Sequence, residues 1–219
     1  MRGEDENPIS ADAAIRAKGI AANKVAVDCC EAMGAESLVG PYFGPIGYFT
    51  GTGPTDDEWK RGVESMQAVA EHAAGTGVAL SLEFLNRFEI YLLNTAADAT
   101  RFAQAVGHPH CGVLYDTFHA NIEEKSVRGA IHDCARLINH VHIAENDRST
   151  PGKGGVNWTG TFDALREIGY DGWLTIEAFG ESLPELVAAT KIWRRMYDTE
   201  EALAKDGLAF MQQEVAKRW

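Results

Sequence analysis

Short apolar runs alternate along the chain with longer stretches in which apolar residues recur at spacings of three and four. The runs SLVGPYF (37–43), ALSLEFL (79–85), GVLYDTF (112–118), NHVHIAE (139–145) and WLTIEAF (173–179) are rich in Val, Ile, Leu and aromatics. They predict five strands, each with a polar residue near its C-terminal end. Between them, DEWKRGVESMQAVAEHAAGTG sets Trp59, Val63, Met66, Val69 and Ala70 on one helical face, followed by Gly75 and Gly77. Thr55 with Glu58 three residues on predicts a capping box at its start. TFDALREIGYDG repeats the scheme with Phe162, Leu165 and Ile168, and Gly169 suits the position just past the helix end. Residues 1–36 hold one helical segment, and 183–219 read as one or two more.

Strands alternating with helices imply parallel neighbours, because a parallel pair needs a crossover and a helix supplies it. Polar residues at strand ends then lie on the face where loops of such proteins build sites. Either a (β/α) barrel or an open doubly wound sheet satisfies this pattern. The absence of a glycine-rich dinucleotide fingerprint after any strand weakens the second. No linker divides residues 1–219, so a single domain is expected, with polar residues 1–9 as a flexible tail. An eight-stranded barrel takes ~250 residues, and only five strands can be placed in these 219.

Charge narrows the partners. Lys and Arg number 20 against 32 Asp and Glu, a net charge of −12, which repels phosphate backbones and anionic membranes. No apolar run approaches the ~20 residues of a membrane span, and the N-terminus carries no signal-peptide core. Cys29, Cys30, Cys111 and Cys134 match no zinc spacing and read as reduced thiols of a cytoplasmic protein.

Four strand ends carry hard-metal ligand types: Glu83 in SLEF, Asp116 in LYDTF, His142 in HVHIAE and Glu177 in TIEAF. Three carboxylates and an imidazole suit Mn²⁺, Mg²⁺ or Co²⁺ better than a thiolate-seeking ion. Singly, Asp116 is equally a helix cap and Glu177 an ion-pair partner for an arginine. His140 and His142 project to one side of their strand, and His142 lies nearer its C-terminal end. Glu89, His119 and Arg148 follow at short offsets and suit the hydroxyl and carbonyl oxygens of a polyol. Arg87 reads as a loop ion pair. Arg148 enters the loop STPGKGGVNW, whose GKGG lacks the spacing of a phosphate-binding loop.

The segments SLEFLNRFEIYLLN, VLYDTFHANIEE, HVHIAENDRSTPGKGGVNW and ALREIGYDGWLTIEAF resemble the ketose 3-epimerases of D-tagatose, D-allulose (psicose) and L-ribulose. That family lies within the xylose-isomerase-like superfamily of TIM barrels, and the resemblance runs from about Ser10 to the C-terminus. It implies a (β/α) TIM-barrel fold, N-terminally incomplete, with about five of eight strands present. It implies one divalent ion, Mn²⁺ with Mg²⁺ or Co²⁺ as alternatives, on Glu83, Asp116, His142 and Glu177. Glu83 and Glu177 match the acids that exchange the C3 proton of a free ketose through a metal-stabilised enediolate. Glu89, His119 and Arg148 match residues that hold the substrate, and Phe179 a pocket wall; Ala178 stands where many relatives have proline. Two acids on opposite faces of a planar intermediate favour epimerisation over aldose–ketose isomerisation. A keto-sugar or keto-inositol lyase would use the same enolate, and an inactive truncated fragment would keep only the metal. An unclosed barrel exposes sheet edges and apolar surface, so a homo-oligomer or a partner segment is also expected.

Overall fold

The computed structural model describes residues 2–219; Met1 of the expected tail lies outside them. The described residues contain five strands: β1 (Ser37–Gly40), β2 (Ala79–Glu83), β3 (Cys111–Asp116), β4 (Ile138–Ile143) and β5 (Leu174–Ile176). They form one sheet in the order β1-β2-β3-β4-β5, and the β1–β2, β2–β3 and β4–β5 ladders are parallel. Eight α-helices accompany them: α1 (Ala13–Met33), α2 (Asp56–Ala73), α3 (Ala96–Val106), α4 (Thr117–Glu123), α5 (Val127–Cys134), α6 (Trp158–Glu167), α7 (Pro184–Thr190) and α8 (Glu200–Ala216). This is the strand–helix succession of a (β/α) barrel, with five strands where a closed barrel has eight. Each predicted run carries a strand, while α3, α4 and α5 go beyond the helices the pattern predicts.

By their internal contacts the described residues divide into two compact units, 2–115 with Arg136–His140, and Asp116–Ala135 with Val141–Trp219. In the first, β2 and most of β3 are buried on both faces, which is why they read as almost unbroken apolar runs. The capping box forms as expected: Glu58 N–H donates to Thr55 Oγ1 (3.2 Å) and Thr55 N–H to Glu58 Oε2 (2.8 Å). Of the stretch expected as a flexible tail, Gly3–Asp5 are exposed, but Asn7, Pro8 and Ile9 are buried. Ile9 is buried against α2, its carbonyl accepts from Arg61 Nε (2.8 Å), and the Pro8 carbonyl accepts from Ser65 Oγ (2.8 Å). Gly62 leaves room for that contact, since a Cβ there would come within 3.1 Å of Ile9 and Phe102.

In the second unit, α6 begins under Asn157, whose side chain accepts from Gly160 N–H, and ends before Gly169 at φ 69°. The end of β4 is fastened to the start of α4 by Thr117, whose hydroxyl donates to the Ala144 carbonyl (2.7 Å) and accepts from Ala144 N–H (2.8 Å). The β4–β5 ladder reaches past its last paired residues, with Glu177 N–H donating to the Ile143 carbonyl (3.2 Å). These bonds set His142 and Glu177 side by side.

Candidate active site

Asp116 closes β3 and opens α4, and its two oxygens do different things. Oδ1 accepts from the backbone N–H groups of Phe118 (2.6 Å) and His119 (3.3 Å), capping α4. Oδ2 faces the other way, 3.3 Å from His142 Nδ1 and 3.8 Å from an Arg148 terminal nitrogen. Oδ1 is thus the cap that the sequence allowed, and Oδ2 is the oxygen that the ligand reading would use. Asp116 is fully buried, which works against its ionisation, but the His142 imidazole and the Arg148 guanidinium hold its carboxyl well below the usual carboxylate range.

His142 Nδ1 also lies 3.4 Å from Glu177 Oε1, while Glu177 Oε2 is hydrogen-bonded by Arg148. Arg148 is buried, and its guanidinium stacks 3.8 Å from the Phe118 ring centroid and 5.0 Å from that of Phe179. A second guanidinium nitrogen meets His119 Nε2 at 3.1 Å. Arginine only donates, so Nε2 is the acceptor and His119 is the neutral Nδ1–H tautomer. Burial pushes this imidazole down to about 3, opposed by Asp116 and reinforced by the charge of Arg148. Arg148 holds a left-handed backbone, φ 62°, unusual for a residue with a side chain.

Glu83 ends β2, and one ligand atom from each of Glu83, Asp116, His142 and Glu177 lies within 4.8 Å of the others. Three carboxylates that close repel one another strongly, and a divalent cation among them would offset the repulsion. The donor set, oxygen-rich with one imidazole, fits such an ion. Of the other predicted residues, Glu89 is half-buried and accepts from Asn86 Nδ2 (2.9 Å), and Arg87 stacks over the Phe88 ring (5.1 Å).

The family model for the xylose isomerase-like TIM barrel matches residues 4–214. The chain belongs to that family. This TIM-barrel chain is 39% identical over 188 residues to a probable ketose 3-epimerase of Synechocystis sp., a match covering 86% of this chain and 66% of that protein. It is 37% identical over 204 residues to the L-ribulose 3-epimerase of Mesorhizobium japonicum, covering 92% and 68%. A solved L-ribulose 3-epimerase structure superposes with a TM-score of 0.94 at 36% identity, covering 98% of this chain and 72% of that one. The chain spans about two thirds of the length of the curated relatives it matches. No helix among the described residues of this TIM-barrel protein is long and apolar enough to cross a membrane.

Two residues of the site escape the sequence reading. Phe118, beside His119, forms the stacking surface for Arg148; an aromatic next to a polar candidate was the available signal. Glu145 is fully buried at the end of the β4 segment, and both its oxygens are engaged by the loop that carries Arg148.

Proposed function

We propose that this chain carries the catalytic centre of a divalent-metal-dependent epimerase that inverts C3 of a free ketose, in the manner its relatives' names describe. The reading is carried by one observation: three acids and an imidazole from four strand ends bring ligand atoms within 4.8 Å. Glu83, Asp116, His142 and Glu177 would hold the ion, Mn²⁺ by preference, with Mg²⁺ or Co²⁺ as substitutes. When bound, it supplies Lewis acidity that makes a proton next to a ketone removable.

The chain's own groups do the rest. Glu83 and Glu177 are the acid–base pair: one takes the C3 proton and the other returns a proton to the opposite face of the planar enediolate, inverting the centre. Arg148 orients Glu177, and together with His119 and Glu89 holds substrate oxygens near the C1–C3 end. A neutral His119 suits that task, because its ring can exchange donor and acceptor roles with a hydroxyl. Phe118 and Phe179 fix the guanidinium plane. Cytoplasmic residence and self-association complete the proposal; light scattering that finds a monomer with full turnover would remove the latter.

The deciding experiment incubates the chain with L-ribulose, D-allulose, D-tagatose and D-fructose in D₂O with Mn²⁺, with and without chelator. The expected result is deuterium at C3 together with the C3 epimer, abolished by chelation. Label at C1 instead would assign aldose–ketose isomerisation, and loss of water or an aglycone a lyase. Metal-dependent thermal stabilisation without exchange would leave a metal-binding fragment.

A further inference from the structure

The glycine-bearing loop after β4 is wrapped around an anion that the chain itself supplies. Glu145 Oε1 accepts from the backbone N–H groups of Asn146 (3.0 Å) and Val156 (3.0 Å). Its Oε2 accepts from Gly152 N–H (3.0 Å) and from the indole Nε1–H of Trp158 (2.9 Å). Four donors spread over residues 146–158 thus converge on one fully buried carboxylate. The loop backbone presses so closely that a Cβ at Gly154 would come within 2.6 Å of Glu145 Cδ. Backbone N–H groups gathered in this way form an anion-holding concavity, and here its occupant is internal. That accounts for the GKGG stretch without any phosphate.

The same loop carries Arg148. The Arg148 backbone is tied on both sides of its Cα: its N–H donates to the Glu145 carbonyl (2.9 Å), and its carbonyl accepts from Phe179 N–H (3.1 Å). We infer that Glu145 is the positioning residue of this site: by gathering the loop's N–H groups it fixes the strained backbone from which Arg148 reaches Glu177 and His119. The kinetic part of this inference rests on the proposed epimerase reading; the structural part does not.

Glu145→Gln is the discriminating variant. It preserves shape but replaces one oxygen with an NH₂ group, which faces two N–H donors it cannot accept from. Native-state trypsin digestion reads the loop directly, because Arg148 is buried while Lys60 on α2 is exposed. In Glu145→Gln, cleavage after Arg148 and Lys153 should quicken on the order of tenfold to a hundredfold, with cleavage after Lys60 unchanged. Gly154→Ala, whose Cβ would crowd the same carboxylate, should reproduce the pattern, and Trp158→Phe, which removes one donor of four, should give a much smaller rise. In an active preparation Glu145→Gln should raise ketose KM more than it lowers kcat, and that penalty should vanish in an Arg148→Ala background. Cleavage after Arg148 as slow as in the parent, or faster only in step with Lys60, overturns the inference. So does a KM penalty that persists without Arg148. If the parent shows no C3 exchange, the epimerase reading falls and the proteolysis of both loop variants still decides the role of Glu145.

Discussion

Two loops leave the sheet toward candidate substrate-binding residues, and they are ordered by opposite means. The loop after β2, residues 84–95, is built on burial: Phe84, Leu85, Ile90, Leu92 and Leu93 are all inside, and Asn94 Nδ2 ties the Leu85 (2.8 Å) and Ile90 (2.9 Å) carbonyls together. The loop after β4, residues 144–157, is mainly polar and closes around the Glu145 carboxylate instead. The first kind of loop draws its order from the hydrophobic core, so its failure should be felt by the whole fold. The second draws it from hydrogen bonds that serve only the loop, so its failure should be felt at the site. Glu89 and Arg148 sit on these two loops respectively, and the difference predicts how each tolerates change.

The largest effect should come from Leu93→Ala, which empties a fully buried position of the first loop. A loss of ~2–5 kcal/mol is expected in urea denaturation, and a loss within experimental error would show that burial does not hold this loop. Next, Arg148→Lys keeps the charge but forfeits the planar guanidinium stacked between Phe118 and Phe179 and shared by Glu177 and His119. On the proposed epimerase reading, a loss of ~1.5–3 kcal/mol in transition-state binding, tenfold or more in kcat/KM, is expected with little change in denaturation midpoint. Glu89→Gln should cost less than Arg148→Lys, because Glu89 is half-buried and the substitution keeps an oxygen that can accept from Asn86 Nδ2; the reverse order would collapse the contrast.

The smallest effect concerns acid. Tyr91, in the first loop, donates its hydroxyl to Glu58 Oε1 (2.7 Å). Burial works to raise the Glu58 carboxyl, but the bonds from Tyr91 and Thr55 bring it below the ordinary glutamate value. A carboxyl depressed on folding adds stability above its unfolded pKa, and that stability is lost as pH falls through the folded value. Tyr91→Phe should therefore cost ~0.5–1.5 kcal/mol at neutral pH and flatten the decline of stability on the acid side of the glutamate range. An unchanged acid limb in pH-dependent melts would count against the Tyr91–Glu58 bond as its source.

Much of this was legible in sequence because burial on two faces writes itself as apolar runs: all five strands and the α2 capping box follow from pattern alone. The short helices α4 and α5 do not, since seven or eight residues scarcely complete a period, and their starts depend on the Asp116 and Ser126 caps. The burial of Pro8 and Ile9 was hidden because Gly62 and Ser65, which receive Ile9 and Pro8, are small residues that carry no apolar signal. At the site, acids at strand ends were visible as a set, but the division of labour between the two oxygens of Asp116 was not. Glu145 was invisible for a related reason: a carboxylate satisfied entirely by backbone and indole N–H groups leaves no opposite charge in the sequence to point to it.

The left-handed backbone at Arg148 sets two pressures against each other at one codon. Glycine there would relax ~1 kcal/mol or more of conformational cost, yet would delete the guanidinium that meets Glu177 and His119. On the proposed epimerase reading, a lineage that gave up the reaction should lose this arginine early, because nothing then opposes the easier backbone. Its retention in a descendant chain would mark continued selection for the guanidinium contacts over the easier backbone.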